Sequence, residues 1–381
     1  MRATSRFLYL SSSSAKTKLK WDSKKRVLIR PPHPRNAFQG KYNLDRLVSC
    51  YPTLGQHVII GPTGRPTVDW ADPVAVRALN TSLLVADYGV NPKYADILPP
   101  NALMAGVPGR ADYVHHIADR LQEDNGGAEI PKGRNVIGMD IGTGASCIYP
   151  LIATSTYGWS MIATDINRAS IESAQAIVES NNHQDKIEMR HQLSDTSIFN
   201  GILKKKPVER IDFAMCNPPF YSSKEAFQAE NARKLEGLAK SKMKRGRNMG
   251  PNELSDSTST ESEVSSNNFG GTDTDLWCDG GEMAFVKRIY TESTRYWNKC
   301  LWFSSLVSRK KNLNKITKLF KKGGGGKKGK GVEMVHRIPI GRKEATILMW
   351  TFMDEDARRD WAKNRWNNPE DNNELEVIRI Q

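Results

Sequence analysis

The chain has 381 residues, of which 56 are Lys or Arg and 42 are Asp or Glu, giving a formal charge of +14 at pH 7. That surplus favours polyanionic partners over cationic ones. Its 5 cysteines are widely spaced with no Cys-x-x-Cys pair, which excludes a disulfide framework and a cysteine-based zinc site and fits a reducing compartment. No apolar run approaches the roughly 20 residues of a membrane helix.

In chain order, residues 1–32 come first, with Arg2, Arg6, Lys16, Lys18 and Lys20 ahead of the first acid, Asp22. This composition fits either a mitochondrial transit peptide or a disordered phosphate-binding arm. The basic character runs on to Arg30 and Arg35 and favours the arm. Residues 33–120 are expected as a mostly helical module, with helical spacing at Leu44–Val48 and Pro73–Tyr88. His115 and His116 are the only adjacent histidines, and no metal role is assigned to them.

From 121 to 352, strands and helices alternate as an α/β doubly wound sheet requires. Strands are expected near 135–140, 160–164, 187–191, 210–216, 299–307, 332–338 and 345–352, with helices near 145–156, 167–181, 283–297 and 312–321. The last two strands, separated by Gly341-Arg342-Lys343-Glu344, are expected to be antiparallel.

The first of these strands leads through Asp140-Ile141 into Gly142-Thr143-Gly144-Ala145-Ser146. Glycines there allow positive φ and close approach of backbone to a ligand. The turn is shared with dinucleotide-binding folds, but the third glycine of that fingerprint is missing and Asp140 precedes the turn, which suits a ligand without a diphosphate. Asp165 ends the next strand. A carboxylate about 20 residues past the glycines is placed either to hold ribose hydroxyls or to cap the following helix.

The run Ile211–Cys216 ends in Asn217-Pro218-Pro219-Phe220-Tyr221. This combination suits methylation of an exocyclic amine, whose delocalised lone pair must be freed by hydrogen-bond acceptors. The side-chain carbonyl of Asn217 and the backbone carbonyl of Pro218 could each take one N–H. The prolines remove backbone donors, and Phe220 or Tyr221 could stack on an extruded base. The bland alternative is a Pro-Pro turn closing a buried strand, with the aromatics in the core. Glycine turn, acid and Asn-Pro-Pro-Phe, in this order, read as an S-adenosylmethionine site followed by an amine-methylating site.

Two insertions interrupt the alternation. Residues 222–279 open with a basic helical stretch, Lys224–Arg247, then become too polar to pack from Asn252 to Asp275. They are either a mobile loop over the substrate followed by a spacer, or a surface loop without a role. Residues 309–330 hold ten basic residues and no acid; Lys310, Lys311, Lys321 and Lys322 are the candidate phosphate contacts, neutralising a nucleic-acid backbone rather than reading sequence. Residues 353–381 are expected as a polar tail.

The chain resembles the adenine-N(6) RNA methyltransferases that include the eukaryotic U6 small nuclear RNA methyltransferase and the bacterial large-subunit ribosomal RNA adenine methyltransferase F. The matching residues are Arg35–Phe38, Val107–Tyr113, Met139–Pro150, Cys216–Tyr221 and Gly280–Val286. The resemblance implies a seven-stranded methyltransferase core at 121–352 behind an RNA-binding module at 33–120. It also implies an S-adenosylmethionine cofactor. Arg110, Gly142, Ser146, Asp165, Thr196 and Asn217 fall on cofactor-binding positions, with Asp140, Thr143 and Gly144 in the same loop; the eukaryotic members carry Glu in place of Asp165. Arg35 and Asn36 are expected at the RNA.

The implied partner is a structured RNA, U6 first and ribosomal RNA next, with a monomer in the nucleus expected and the mitochondrion as the alternative. Target choice would rest on the core and its arm, or on a partner protein. Three alternatives stand beside this reading: the same chemistry on DNA adenine or protein glutamine, an inactive RNA-binding protein, and a nicotinamide oxidoreductase, which the missing glycine disfavours.

Overall fold

The computed structural model describes residues 20–22, 27–29, 31–61, 63–102, 104, 106–127, 129–205, 209–229, 277–323, 332–340 and 343–366. Side chains are described within these except at 20–29, 310, 320–340 and 343–344. Most of the basic arm, the insertions from 230 to 276 and from 324 to 331, and the tail beyond 366 lie outside the described residues.

Seven strands form one sheet: β1 Ile137–Ile141, β2 Ser160–Asp165, β3 Ile187–His191, β4 Ile211–Cys216, β5 Cys300–Val307, β6 Val332–Ile340 and β7 Lys343–Thr351. Their order is β6-β7-β5-β4-β1-β2-β3. The pairs β1–β2, β1–β4, β2–β3 and β4–β5 are parallel, and β7 runs antiparallel to both β5 and β6, as expected. The chain winds outward from β1 through β2 and β3, then returns to lay β4 on the other side of β1. The strand order therefore reverses between β1 and β4, where ligands of such sheets bind at the carboxyl ends. Register makes the point sharper: Ile141 and Cys216 are partners across these strands, so the chain leaves the sheet at Gly142 and Asn217 side by side.

The strands are apolar because both faces are covered. Along β4, Phe213 and Met215 pack in the core that helices α2 (Pro73–Tyr88), α3 (Val107–Asp124), α4 (Ile148–Tyr157) and α5 (Arg168–Ser180) share on one face. Ala214 and Cys216 point the other way, into the core with Val286 and Ile289 of α6 (Gly281–Ser293) and Leu313 and Ile316 of α7 (Lys310–Gly323). The short helix α1 (Leu44–Cys50) and the hairpin Val58–Ile60/Pro66–Val68 precede α2, and Leu47, Leu54 and Val68 join that first core.

Two helices are not among those named from the sequence. The span Val107–Asp124 is one helix of the mostly helical module, running past its expected end at 120; Pro108 sits in the first turn, where no helical N–H is missed. Ala111, Val114, Ile117, Ala118 and Leu121 form its buried stripe. Tyr113 donates to Ser304 Oγ of β5 at 2.8 Å, and Trp302 donates to Asp124 at 2.6 Å, so α3 lies across the sheet.

The polar tail needs the other correction. Glu355–Trp366 forms helix α8, and it docks through buried carboxylates as well as by packing Trp361 and Trp366 on the first core. Asp212, with no exposed surface, accepts from Trp361 Nε1 at 2.8 Å, Arg365 Nε at 3.0 Å and Trp366 Nε1 at 3.1 Å, and its other oxygen takes the Ile137 amide at 2.6 Å. Arg358 bonds Asp124 at 2.9 Å. Asp212 sits at the amino-terminal ends of β1 and β4, opposite the switch point, and Asp124 ends α3 beside Trp302 of β5.

Candidate active site

After β1 the chain turns on Gly142 (φ 74°) and Gly144 (φ 62°). A Cβ at either glycine would meet nothing within 4 Å, so the requirement is the left-handed backbone, and the bare turn faces open space. Gly142 and Thr143 amides donate to the Thr164 carbonyl at 2.9 and 2.8 Å, tying the turn to β2. Cys147 is also left-handed, at φ 48°, which delays α4 to Ile148 rather than the expected 145.

Asp165 joins the two motifs. One oxygen accepts the Gly144 amide at 2.9 Å and the other the Asn167 amide at 2.8 Å. The cap of α5 is Asn167, which accepts from the Ala169 amide at 2.9 Å; this leaves Asp165 as the acid of the turn, not of the helix.

These groups line one cavity of about 300 Å³. Arg110, Gly142, Thr143, Gly144, Ser146 and Asp165 form one part of its wall, and Asn217 and Pro219 another. Arg110 is 7 % exposed, lies 5.6 Å from the Tyr149 ring centroid and makes no salt bridge among the described residues, so its charge is available to an anionic ligand group. Asn217 Oδ1 is buried without a hydrogen-bond partner, and so is Nε1 of Trp277, another lining residue. Leaving a buried polar group unpaired costs about 1–3 kcal/mol; with Thr143 Oγ1 and the Tyr149 hydroxyl, which are also unpartnered, four such groups in one cavity mark atoms kept for a ligand.

Five expected site residues stand elsewhere. Asp140 is wholly buried and does not line the cavity, because a residue at the end of a strand covered on both faces turns into the core. Burial pushes its carboxyl up to about 7, Asp165 adds to the rise, and the Thr143 hydroxyl and Arg110 oppose it. Thr196 is bonded to Ser194 Oγ at 3.1 Å; its neighbours Ser194, Asp195 and Ser197 line the cavity and it does not. Phe220 and Tyr221 line a second cavity of about 340 Å³ with Gly281, Glu282, Arg309 and Asn312. Pro218 is buried and lines neither cavity.

Several lining residues escaped the sequence reading. Trp277, Cys278, Phe285 and Arg288 close the cavity beyond Asn217. Trp277 and Cys278 fell at the end of the stretch taken as insertion, yet Trp277 bridges Tyr221 and the Cys278 amide donates to the Tyr221 carbonyl at 3.1 Å. Gly281, at φ 61°, explains the glycine pair: a Cβ there would lie 3.1 Å from the Tyr221 carbonyl carbon. Glu292 of α6 fixes the loop after β3 by accepting the amides of Ile198, Phe199 and Asn200 at 2.6, 3.0 and 2.7 Å.

The residues expected at RNA divide differently. Asn36 is 4 % exposed and donates to Asp112 Oδ1 at 2.5 Å and to the Pro108 carbonyl at 2.8 Å. Arg35 is bound to Asp119 at 2.6 Å, Tyr157 Oη at 3.0 Å and the His115 carbonyl at 2.9 Å. Both anchor the segment at 33–36 to α3; Asn36 is corrected from a surface to a structural role, while Arg35 is held by these bonds and still exposed. Lys311 is exposed on α7. Lys310, Lys321 and Lys322 lie on the same helix, with side chains outside the described residues.

One group of three possible metal ligands, His33, His116 and Asp119, occurs among the described residues. The Arg35 amide donates to His33 Nδ1 at 3.1 Å, which places that ring's proton on Nε2, where it meets Asp119 at 2.9 Å. Burial opposes the charge of Asp119, but His33 and Arg35 hold its carboxyl down at about 2. His33, Asp119 and Arg35 form a hydrogen-bonded anchor, with the His116 ring edge-on to that of His33.

The profile of the RNA methyltransferase family matches residues 26–354. The ribosomal RNA large subunit methyltransferase F of Pseudomonas putida (strain KT2440) is 38% identical over 333 residues, covering 87% of this chain and 96% of the relative. That of Cronobacter sakazakii is 41% identical over 335 residues, covering 87% and 97%. Among solved structures, the catalytic domain of human METTL16 in complex with the MAT2A 3′UTR hairpin 1 aligns with a TM-score of 0.64 at 28% identity, covering 85% of this chain and 96% of that one. The N-terminal domain of human METTL16 in complex with SAH aligns at 0.61 and 27%, covering 85% and 99%. With this match over most of its length, on a cavity built at the switch point of its sheet, the chain belongs to the RNA methyltransferase family.

Proposed function

We propose that this protein transfers a methyl group from S-adenosylmethionine to the exocyclic N6 amine of an adenosine in a structured RNA. The observation that carries the reading is the buried, unpartnered Oδ1 of Asn217 in the same cavity as the glycine turn and Asp165. The residues present fit the cofactor. The open backbone at Gly142 and Gly144, the carboxylate of Asp165 and the guanidinium of Arg110 supply a close-approach turn, a ribose acceptor and a carboxylate partner. When bound, S-adenosylmethionine supplies a methyl group activated on a sulfonium.

The chain's own part is positioning and electrostatics. Asn217 Oδ1 and the Pro218 carbonyl accept the two amine N–H groups, turn the lone pair toward the donor, and stabilise the nitrogen as it gains positive charge. Pro218 and Pro219 bring no competing N–H. The proton becomes acidic only after transfer, so water can remove it, and in-line placement is the main demand.

Of the two RNA classes expected, large-subunit ribosomal RNA is favoured, because the relatives at 38% and 41% identity carry that name. Helix α7 supports a polyanion surface: Leu313 and Ile316 are buried while Lys311, Lys315 and Lys318 point outward. Labelled donor offered with RNA, DNA and protein pools tests the reading. Label in RNA alone supports it; label in DNA or protein alone overturns it.

A further inference from the structure

We infer that Trp277 is a specificity residue that donates its indole N–H to a ring nitrogen of the acceptor base, beside the amine held by Asn217. This rests on the proposed reading and deepens it. Nε1 of Trp277 is buried without a partner, in the cavity that holds the equally unpartnered Oδ1 of Asn217. Indole N–H can only donate and the Asn carbonyl can only accept, so the cavity presents a donor and an acceptor that the protein itself leaves unmatched.

Position assigns the indole to the acceptor rather than to the cofactor. Across the carboxyl ends of the strands, the cavity wall runs from Asp165 on β2 through the glycine turn after β1 to Asn217 after β4. Trp277 extends that row: it bridges Tyr221, four residues past Asn217, and the next amide, Cys278, bonds the Tyr221 carbonyl at 3.1 Å. The backbone that carries the indole therefore stands at the Asn217 end of the row, on the far side of the glycine turn from Asp165 in strand order.

A ligand that satisfies both groups at once carries an amino N–H next to a lone-pair nitrogen. Adenine has this arrangement at C6, where the amine is flanked by N1 and N7. A base held by Asn217 alone can pivot about that contact, whereas a second bond from Trp277 fixes its plane and rejects a base with a donor at the ring position. A rejected base would leave the indole N–H unpaired in the cavity.

The test uses the full chain with large-subunit ribosomal RNA and U6 small nuclear RNA transcribed in vitro, and then a synthetic stem-loop from whichever takes the label. In that stem-loop the target adenosine is replaced by 1-deazaadenosine or 7-deazaadenosine, and each RNA is offered to the unsubstituted enzyme and to Trp277→Phe. One hydrogen bond predicts a loss in kcat/KM of about tenfold for Trp277→Phe on the normal RNA, and a similar loss for the unsubstituted enzyme on one deaza RNA. The two losses should not multiply, and S-adenosylmethionine affinity by calorimetry should be unchanged. Losses that multiply, equal activity on all three RNAs, or a tenfold weaker cofactor affinity in Trp277→Phe would each overturn the inference. Should the variant fail to fold, the deaza comparison in the unsubstituted enzyme decides. Absence of label in both RNAs would instead bring down the reading of the acceptor, and this inference with it.

Discussion

The Gly144 amide donates to Asp165 Oδ2 across 2.9 Å, and this bond makes the glycine turn and the acid a single unit. With Asp165 Oδ1 also taking the Asn167 amide, the carboxylate holds the turn as well as offering lone pairs to a ribose. Asp165→Ala should therefore weaken S-adenosylmethionine binding by roughly 10- to 150-fold, the worth of one charge-assisted hydrogen bond of about 1.5–3 kcal/mol. Isothermal titration calorimetry measures this; an affinity within twofold of the unsubstituted protein would remove Asp165 from the cofactor site.

Asn217→Ala takes away the acceptor that frees the amine while leaving the turn and Asp165 intact. Turnover should fall about 100- to 1,000-fold, by the scale seen when a preorganised polar group is removed from an active site, with cofactor affinity changed by less than about threefold. Single-turnover rates with labelled donor separate the two effects. A variant that retains a tenth of the activity would mean that Asn217 only packs.

Helix α8 makes a claim about stability rather than chemistry. Asp212 is the common acceptor of Trp361, Arg365, Trp366 and the Ile137 amide. Asp212→Ala strands those donors and should cost roughly 3–5 kcal/mol in urea denaturation. A loss below about 1 kcal/mol would show that α8 is not held through this carboxylate.

Much of the site was legible because its physics is local. Glycines at positive φ, a Pro-Pro turn after a fully apolar strand, and an acid at a strand end all announce themselves in the residues that do the work. The seven strands were legible for the same reason, as apolar runs separated by polar turns. What stayed hidden depends on distant partners. Helix α8 has only a thin apolar side, Trp361, Ala362 and Trp366, among charged residues, and nothing in Glu355–Trp366 reveals that Asp212 and Asp124 hold it. Trp277 borders a polar insertion and joins the site only by its bridge to Tyr221. Asn36 looked like a surface contact in a basic stretch, yet its amide is spent on Asp112 and Pro108.

That correction carries its own expectation. Asn36→Ala should lower stability by about 1–3 kcal/mol, through a buried Asp112 left short of a donor, while the folded protein keeps its affinity for RNA. Urea denaturation and a filter-binding titration at fixed salt check the two halves. A tenfold loss of RNA affinity without a loss of stability would return Asn36 to the interface.

A pH dependence follows from Asp140, whose carboxyl burial lifts from 3.8 to about 7. A carboxyl raised in the fold stabilises it fully below the unfolded value and loses that contribution as pH rises through the folded one. Asp140→Asn removes the titration. Relative to the unsubstituted ligand-free protein, the variant should gain stability between pH 4 and pH 7 and hold the gain at pH 8. Denaturation curves across this range measure it, and a difference that is flat with pH would contradict the assignment.

The central claim is that the amine beside Asn217 is the N6 amine of an RNA adenosine. The most direct measurement is mass spectrometry of nucleosides released from RNA after incubation with the protein and methyl-labelled S-adenosylmethionine. The account predicts the label in N6-methyladenosine, formed at least about 100-fold more slowly when Asn217→Ala replaces the unsubstituted protein. Label in any other nucleoside, or a rate in Asn217→Ala within tenfold of the unsubstituted protein, would contradict it.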